Sequence, residues 1–288
     1  MPEQRYIILA DIHGVCPALE AVLAAVQKDS PDGFIVAGDF VGGPQPHETL
    51  TRLRELPCQF ILGNGELNLL RMHRGTAPQT WWEARQFDLA RWSFDRLTED
   101  DFQFLASLPE KRILHLTGTG MIRVVHAFPW GPGLLWNEML RKKNLPVTLG
   151  TLAEDVLIFA HDHIPGIYRS DEKLALNPGS LSNNLDGTPG ISYGMLTWDG
   201  AAWQPEICQM TLPLEILKEV FIGTGFLEAT QPLGRAVYES TLTGENVPLA
   251  FYSRALKMAE EAGSNVDEYV PDAYWLAAGA RFPWQIKI

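Results

Sequence analysis

Cysteine is scarce in this 288-residue chain: there are three, Cys16, Cys58 and Cys208, an odd number spread along the whole length. That excludes a dense disulfide framework and fits a reducing compartment. Cys16 and Cys58 border apolar runs and read as plain buried thiols. No run of about 18 apolar residues is present, so no transmembrane helix is expected. The first strand-like run starts at Arg5, directly after MPEQ, which leaves no room for the charged and apolar regions of a signal peptide. A cytoplasmic location is the expectation. Basic residues are also short: 23 Lys and Arg face 35 Asp and Glu, a formal net charge of −12. Such a surface repels a nucleic-acid backbone unless a local basic groove overrides it, so neither nucleic acid nor membrane is an expected partner. The one tight basic cluster, Arg141, Lys142 and Lys143, could help hold a phosphate but reads as a solvated loop. No internal repeat, low-complexity tract, G-x-S-x-G elbow or G-x-x-x-x-G-K-S/T phosphate loop is present. TGTG at 117–120 reads as a hairpin turn rather than a phosphate cradle.

What is present is ordinary globular material, 46% hydrophobic and 20% charged, with ample length for a core. Five apolar runs rich in β-branched residues, RYIILA, GFIVAG, QFILG, MIRVV and VLIFA, have the length of buried strands. Helical spacing separates the first of them: Leu19, Val22, Leu23 and Val26 in CPALEAVLAAVQKD, then HETLTRLREL, then LNLLRMHR. WWEARQFDLARWSFDRL and TEDDFQFLASL read as two more helices, the second opened by a Thr98/Asp101 capping box. From Ile113 the period shortens, with a hairpin around Gly118 and Gly120 and then the strands GIYR, KLALNPG, ISYGMLTWD and AAWQPEI. The pattern predicts an α/β fold, a two-sheet β-sandwich flanked by helices, over residues 1–205. Residues 206–288 read as a C-terminal helical extension that caps the site or supports a homo-oligomer. Phe226, Phe251 and Trp275 within it look exposed, and the sequence does not separate core from interface for them. The nine tryptophans read mostly as packing residues; Trp130 and Trp136, soon after His126, could instead wall a pocket.

Just after the five runs stand Asp11 and His13, Asp39, Asn64, His126, and the pair His161 and His163. D-x-H places two ligands two residues apart, so both can turn toward one ion. Asp39 offers two oxygens and can bridge two cations, and Gly38 lets the chain turn sharply before it. Asn64 contributes an amide oxygen, a hard ligand suited to Mn²⁺, Fe²⁺ or Mg²⁺. H-x-H offers two imidazoles from one strand end. Singly, each is weak: D-x-H is commonly a polar turn, and a strand-end histidine is commonly structural. Seven of them at five strand ends would gather on one sheet edge, where open α/β sheets bind ligands. The set contains every ligand type that a two-metal phosphoester hydrolase needs.

This order resembles the calcineurin-like metallophosphoesterase superfamily, whose pattern runs D-x-H, G-D, G-N-H-D/E, H, G-H-x-H. GDFVGGPQPHETLTRL, FLASLPEKRIL, HDHIPGIYR and NPGSLSNNLDGTPGISYGMLTWD resemble its small bacterial phosphodiesterase branch, and the likeness covers roughly residues 5–200. The resemblance implies two divalent metal ions, Mn²⁺ first, with Fe²⁺, Ni²⁺, Zn²⁺ or Mg²⁺ as alternatives. Asp11, His13 and His163 would hold one, Asn64, His126 and His161 the other, and Asp39 would bridge them. A metal-bridging hydroxide would attack phosphorus in line, with Asp39, Asn64 and His126 in the catalytic set. The implied substrate is a small phosphodiester or nucleotide-like molecule.

Two positions depart from the family pattern. Gly65 replaces a histidine that protonates the leaving oxygen or contacts the phosphate, and loss of such help costs about 10²–10⁴ in rate. The change weakens action on poor leaving groups and opens space for the second substituent of a diester. Glu66, without that histidine, has no obvious partner and reads as an exposed helix-start carboxylate. Ala160 replaces the glycine before H-x-H and should be tolerated outside the left-handed region. His47 could reach substrate alongside Asn64; His73 and His115 read as surface or structural. Asn177, Gly179 and Ser180 resemble an N-P-G-S turn that supports the ligand loops. Two alternatives stay open: a phosphomonoesterase or nucleotide pyrophosphatase on the same site, and a non-catalytic scaffold with the same fold.

Overall fold

The structure, a computed structural model, describes residues 3–116, 118–127, 138–170 and 173–287, leaving aside the side chains of 138–143. Trp130, Trp136, Thr117 and the side chains of Arg141, Lys142 and Lys143 lie outside the described residues. The strands form two five-stranded sheets. The first contains β1 (Gln4–Leu9), β2 (Gly33–Ala37), β3 (Cys58–Ile61), β9 (Ile191–Trp198) and β10 (Trp203–Met210), in the order β10-β9-β1-β2-β3. The second contains β4 (Lys111–His115), β5 (Met121–Val125), β6 (Val156–Ile158), β7 (Gly166–Ser170) and β8 (Lys173–Asn177), in the order β4-β5-β6-β8-β7. β1, β2 and β3 are parallel, and so are β5, β6 and β8. Parallel neighbours need crossovers, and α1 (Cys16–Val26) and α2 (Pro46–Arg54) supply them in the first sheet.

Side chains alternate across each strand. Ile7 and Leu9 pack under helices on the outer face, whereas Ile8 and Ala10 face Ile122, Val124, Val156 and Ile158 of the opposite sheet. Strands covered on both faces carry unbroken apolar runs, which is why these runs stand out in the sequence. The outer face of the first sheet is covered by α1, α2, α3 (Asn64–His73), α5 (Asp88–Phe94) and α6 (Glu99–Ser107). On the second sheet, Leu145 and Leu149 of α7 (Glu138–Thr151) cover Val125, Leu157 and Ala175. Residues 141–143, read as loop, therefore lie in a helix; Pro146 inside it masks the helical signal, and the buried Leu145/Leu149 pair holds it in place. The segment WWEARQFDLARWSFDRL is also not one helix. α4 (Thr80–Glu83) stops at Ala84, which is extended, and the Arg85 amide donates to Asp272 Oδ1 at 2.8 Å instead of to its own helix.

The extension contains α8 (Leu214–Lys218), α9 (Phe226–Thr230), α10 (Leu233–Thr243), α11 (Val247–Glu261) and α12 (Asp272–Arg281). Leu217, Phe221, Phe226 and Tyr238 belong to the same core as Ile7, Val22 and Trp92 of the sandwich. Phe251, Ala255 and Trp275 form a second core within α10–α12. Phe226, Phe251 and Trp275 are thus buried rather than exposed. Phe226 meets Trp92 edge-on at 5.5 Å, and Phe251 meets Trp275 edge-on at 4.7 Å. Burying each such side chain stabilises the fold by about 1.5–3 kcal/mol. The three cysteines are free and half-buried, and burial pushes the Cys58 thiol up to about 12, which leaves it inert. Among the described residues no helix is long and apolar enough to cross a membrane.

Candidate metal centre

β1, β2, β3, β5 and β6 all end on one edge of the sandwich, and the polar residues after them turn inward there. Asp11, His13 and His163 bring their ligand atoms within 4.8 Å of one another, and Asp39, His126 and His161 do the same. The two trios adjoin. Asp39 Oδ2 lies 3.4 Å from His126 Nε2 and 4.0 Å from His13 Nε2. Asp11 Oδ1 lies 3.5 Å from His163 Nε2 and 3.9 Å from His126 Nε2. Asn64 Oδ1 is 3.1 Å from His126 Nε2, so the amide oxygen joins the second trio. His13 and His163 point Nε2 at each other across 3.2 Å. Asp11 Oδ1 is buried and, among the described residues, has no hydrogen-bond partner. A buried carboxylate oxygen facing imidazole nitrogens is costly unless something positive sits among them. The donor set, carboxylate and amide oxygens with imidazoles, suits divalent transition ions.

Backbone strain concentrates at this edge. Asp11, His13, Asp39, His161 and His163 have φ of 49°, 45°, 51°, 78° and 58°. Among the described non-glycine residues only Ser30 shares that region. Such conformations cost about 1–3 kcal/mol each and persist where surrounding structure imposes them. Here they curl the chain so that alternate residues, Asp11 with His13 and His161 with His163, face the same point. Ala160 lies outside the left-handed region, as tolerance of its side chain requires. Gly38 is needed for two reasons: its φ is +90°, and a Cβ there would lie 2.6 Å from His126 Nδ1.

Second-layer contacts set the imidazole tautomers. His126 Nδ1 donates to the Ala37 carbonyl at 2.8 Å, and His163 Nδ1 donates to the Asn183 carbonyl at 2.9 Å. Each leaves Nε2 facing the centre, the arrangement that ligating histidines adopt. Ser180, fully buried, donates to the Asp11 carbonyl at 2.8 Å, so the N-P-G-S turn braces Asp11. The His161 amide donates to Asp11 Oδ2 at 3.0 Å.

Glu66 is where the structure corrects the sequence reading. It is fully buried, not an exposed helix-start carboxylate. Its two oxygens accept four backbone N–H groups: Asp39 and Gly63 on one, at 2.8 Å each, and Phe40 and Val41 on the other, at 2.8 and 3.1 Å. It ties the turn after β2 to the turn after β3. A glutamate opening a helix beside two Gly-containing turns is the hint in the sequence, and three of its four partners lie 25 to 27 residues upstream. Gly65 adds a fourth contact between these turns, donating its amide to Asp39 Oδ1 at 2.7 Å. His47, on α2, places Nδ1 2.7 Å from Asp101 Oδ2 on α6. His73 stacks on Phe102 and pairs with Glu99.

The charges follow from this packing. Burial resists ionisation of Asp39, but His126, His13 and the Gly65 amide outweigh it and hold the carboxyl well below its usual range. Burial likewise disfavours His126⁺, yet Asp39, Asp11 and the Ala37 carbonyl raise the imidazole to about 10. Burial lowers His13 and His161, while Asp11 and the Asn183 carbonyl raise His163 against it. Burial and the Asp39 charge push Glu66 up to about 7 against the pull of its N–H donors. A proton on His126 therefore occupies, in the metal-free protein, the place a cation would take.

Residues 5–201 match the model of the calcineurin-like phosphoesterase superfamily domain. The chain belongs to the calcineurin-like phosphoesterase superfamily. As a member it is a metallophosphoesterase-type hydrolase whose family uses divalent metals. Among its relatives is the phosphodiesterase YfcE of Escherichia coli K12, 27% identical over 209 residues, 68% of this chain and 88% of that protein. An uncharacterized protein of Methanocaldococcus jannaschii is 25% identical over 211 residues, 67% of this chain and 82% of that one. A metallophosphoesterase from Sphaerobacter thermophilus shares the fold, with a TM-score of 0.64 at 20% identity over 83% of this chain and all of that one.

Proposed function

We propose that this calcineurin-like phosphoesterase is a phosphodiesterase that works with two divalent cations, Mn²⁺ foremost. Asp11, His13 and His163 would hold one, Asn64, His126 and His161 the other, with Asp39 shared. The observation that carries the reading is the pair of adjoining trios, with the buried Asp11 Oδ1, free of hydrogen bonds among the described residues, facing imidazoles of both. Bound ions supply Lewis acidity toward phosphate oxygens and an acidified water. The chain's own residues do the rest. The Ala37 and Asn183 carbonyls keep His126 and His163 with Nε2 turned inward. The Gly65 amide aims the Asp39 carboxylate, and Glu66 fixes the backbone on both sides of it. Asn64, at the start of α3, is the polar group set to meet both ion and substrate. This reading leaves His47 to Asp101.

Position 65 bears on the substrate class. A Cβ there would stand 3.1 Å from Asp39 Oδ1, so the glycine leaves room beside the shared carboxylate. It also offers no proton donor, which favours diesters with good leaving groups over monoesters with poor ones. Purified protein with Mn²⁺ should hydrolyse bis-p-nitrophenyl phosphate faster than p-nitrophenyl phosphate. Asp39→Asn should lower the diester rate by about 100-fold or more, as loss of a charged group aimed at the reacting centre does. An unchanged rate in that variant rules the proposal out. Monoester preference would favour the phosphomonoesterase alternative, and uptake of well under one metal per chain would favour a scaffold.

A further inference from the structure

The C-terminal extension touches one of the two loops that stand behind the first ligand trio and reaches the other through Trp92. One is the segment 183–190. Its Asn183 carbonyl accepts from His163 Nδ1 at 2.9 Å, and its Leu185 amide donates to the His163 carbonyl at 3.0 Å. Both the ring and the backbone of His163 are thus set by this segment. At its far side the Gly187 amide donates to the Gly244 carbonyl at 3.0 Å. Gly244 caps α10 with φ of +73°, and a Cβ there would fall 2.6 Å from Thr188 N and C and 2.8 Å from Gly187 C. The contact is backbone on backbone, with no flexible side chain to yield.

The other is the loop at 42–45. A Cβ on Gly43 would lie 1.9 Å from the His13 carbonyl oxygen, so this loop lies directly on the backbone of His13. The Gln45 amide donates to the Gly14 carbonyl at 2.9 Å. Behind the loop, Trp92 Nε1 donates to the Pro44 carbonyl at 3.2 Å and Ser93 Oγ accepts from the Gly43 amide at 3.1 Å. Trp92 in turn rests edge-on against Phe226 of α9, which packs on Phe221 and through it on Tyr238 of α10. All three aromatic residues of the extension in this chain of contacts are buried.

We infer that the C-terminal extension is a positioning element of the first metal site, acting on His163 through Gly244 and on His13 through Phe226 and Trp92. Neither ligand region is left to its own strand. His13 and His163 are strained at φ of 45° and 58°, and strained residues keep their geometry only while packed structure holds them there. The second trio is braced differently, by Ala37, Gly65 and Glu66, all within the sandwich. Loss of the extension's contacts should therefore weaken one site and spare the other. The inference rests on the reading of Asp11, His13 and His163 as metal ligands.

The test is Mn²⁺ titration of the full-length protein by calorimetry and by electron paramagnetic resonance, comparing Gly244→Ala and Trp92→Phe with the wild type. Trp92→Phe keeps a ring toward Phe226 and removes the donor to Pro44 together with part of the indole face under Arg96. Wild-type protein should bind two Mn²⁺ and show the spectrum of a coupled pair. Both variants should keep one tight site, weaken the other by about 10–100-fold, and lose the coupled signal at one ion per chain. Phe251→Leu, in the separate core of the extension, serves as control: it should lower the unfolding midpoint and leave both affinities unchanged. Wild-type affinity at both sites in folded Gly244→Ala and Trp92→Phe would overturn the inference. So would equal weakening by Phe251→Leu, which would make the effect one of general stability. Wild-type protein that takes up no Mn²⁺ would overturn the reading of the site as well.

Discussion

Substituting Glu66 by glutamine tests the brace behind Asp39 with almost no change of shape. The carboxylate accepts four backbone N–H groups, two on each oxygen, all within 3.1 Å. A glutamine has one oxygen and one NH₂ group, and the NH₂ group would face two N–H donors that it cannot satisfy. Two charge-assisted bonds are lost at about 1.5–3 kcal/mol each, or roughly 3–6 kcal/mol together. Part of this is returned, because a buried charge repelled by Asp39 disappears. That repulsion and the burial lift the carboxyl from 4.5 up to about 7, and at about 1.4 kcal/mol per pH unit they oppose the charge by a few kcal/mol. The net expectation is a loss of about 1–3 kcal/mol in urea unfolding of the metal-free protein. Glu66→Ala strands all four donors and should lose more. Because the two turns carry Asp39 and Asn64, Mn²⁺ affinity should fall by about 10–100-fold. An unfolding midpoint and an Mn²⁺ affinity both equal to wild type in Glu66→Gln would refute the bracing role. Equal losses in the glutamine and alanine variants would refute the count of bonds.

Other outcomes follow from the same geometry. Gly38→Ala places a Cβ 2.6 Å from His126 Nδ1 at φ of +90°, so it should cost about 2 kcal/mol or more in denaturant unfolding and displace His126; a stability equal to wild type would contradict this close approach. Metal binding must displace the proton that His126 retains up to about 10, so apparent Mn²⁺ affinity should rise about tenfold per unit between about pH 6 and about pH 9; a flat calorimetric profile would count against His126 as a ligand. The same raised value stabilises the metal-free fold fully below about pH 6.5 and is lost as pH rises through about 10, a trend that His126→Asn should remove from a series of unfolding midpoints. Chelation should lower the thermal midpoint, since an ion at about 100 times its dissociation constant adds about 2.7 kcal/mol to the folded state; no shift between chelated and Mn²⁺-loaded protein would argue against binding to the native fold.

The strands and the polar residues at their ends are legible because the signal is local. β1, β2 and β6 are covered on both faces, so their runs are apolar without interruption, and polar residues directly after them stand out. The broken helix at Ala84 was not legible, because its partner Asp272 lies 187 residues away. α7 was hidden by Pro146, whose local cost is offset by packing that no sequence window contains. The burial of Glu66 is hidden for the same reason: three of its four donors lie 25 to 27 residues upstream, on another strand's turn.

The sequence by itself determined which residue types end which strands, and with them the fold family and the candidate ligand set, since burial on two faces and short-range turns write themselves into neighbouring residues. Only the tertiary structure decided how those candidates are aimed and braced: the left-handed backbone at five of them, the buried carboxylate behind Asp39, and the packing of Trp92 and Gly244 behind the segments that contact His13 and His163. Hydrogen bonds and aromatic contacts between segments far apart in the chain set these features, and such contacts leave no periodic trace along it.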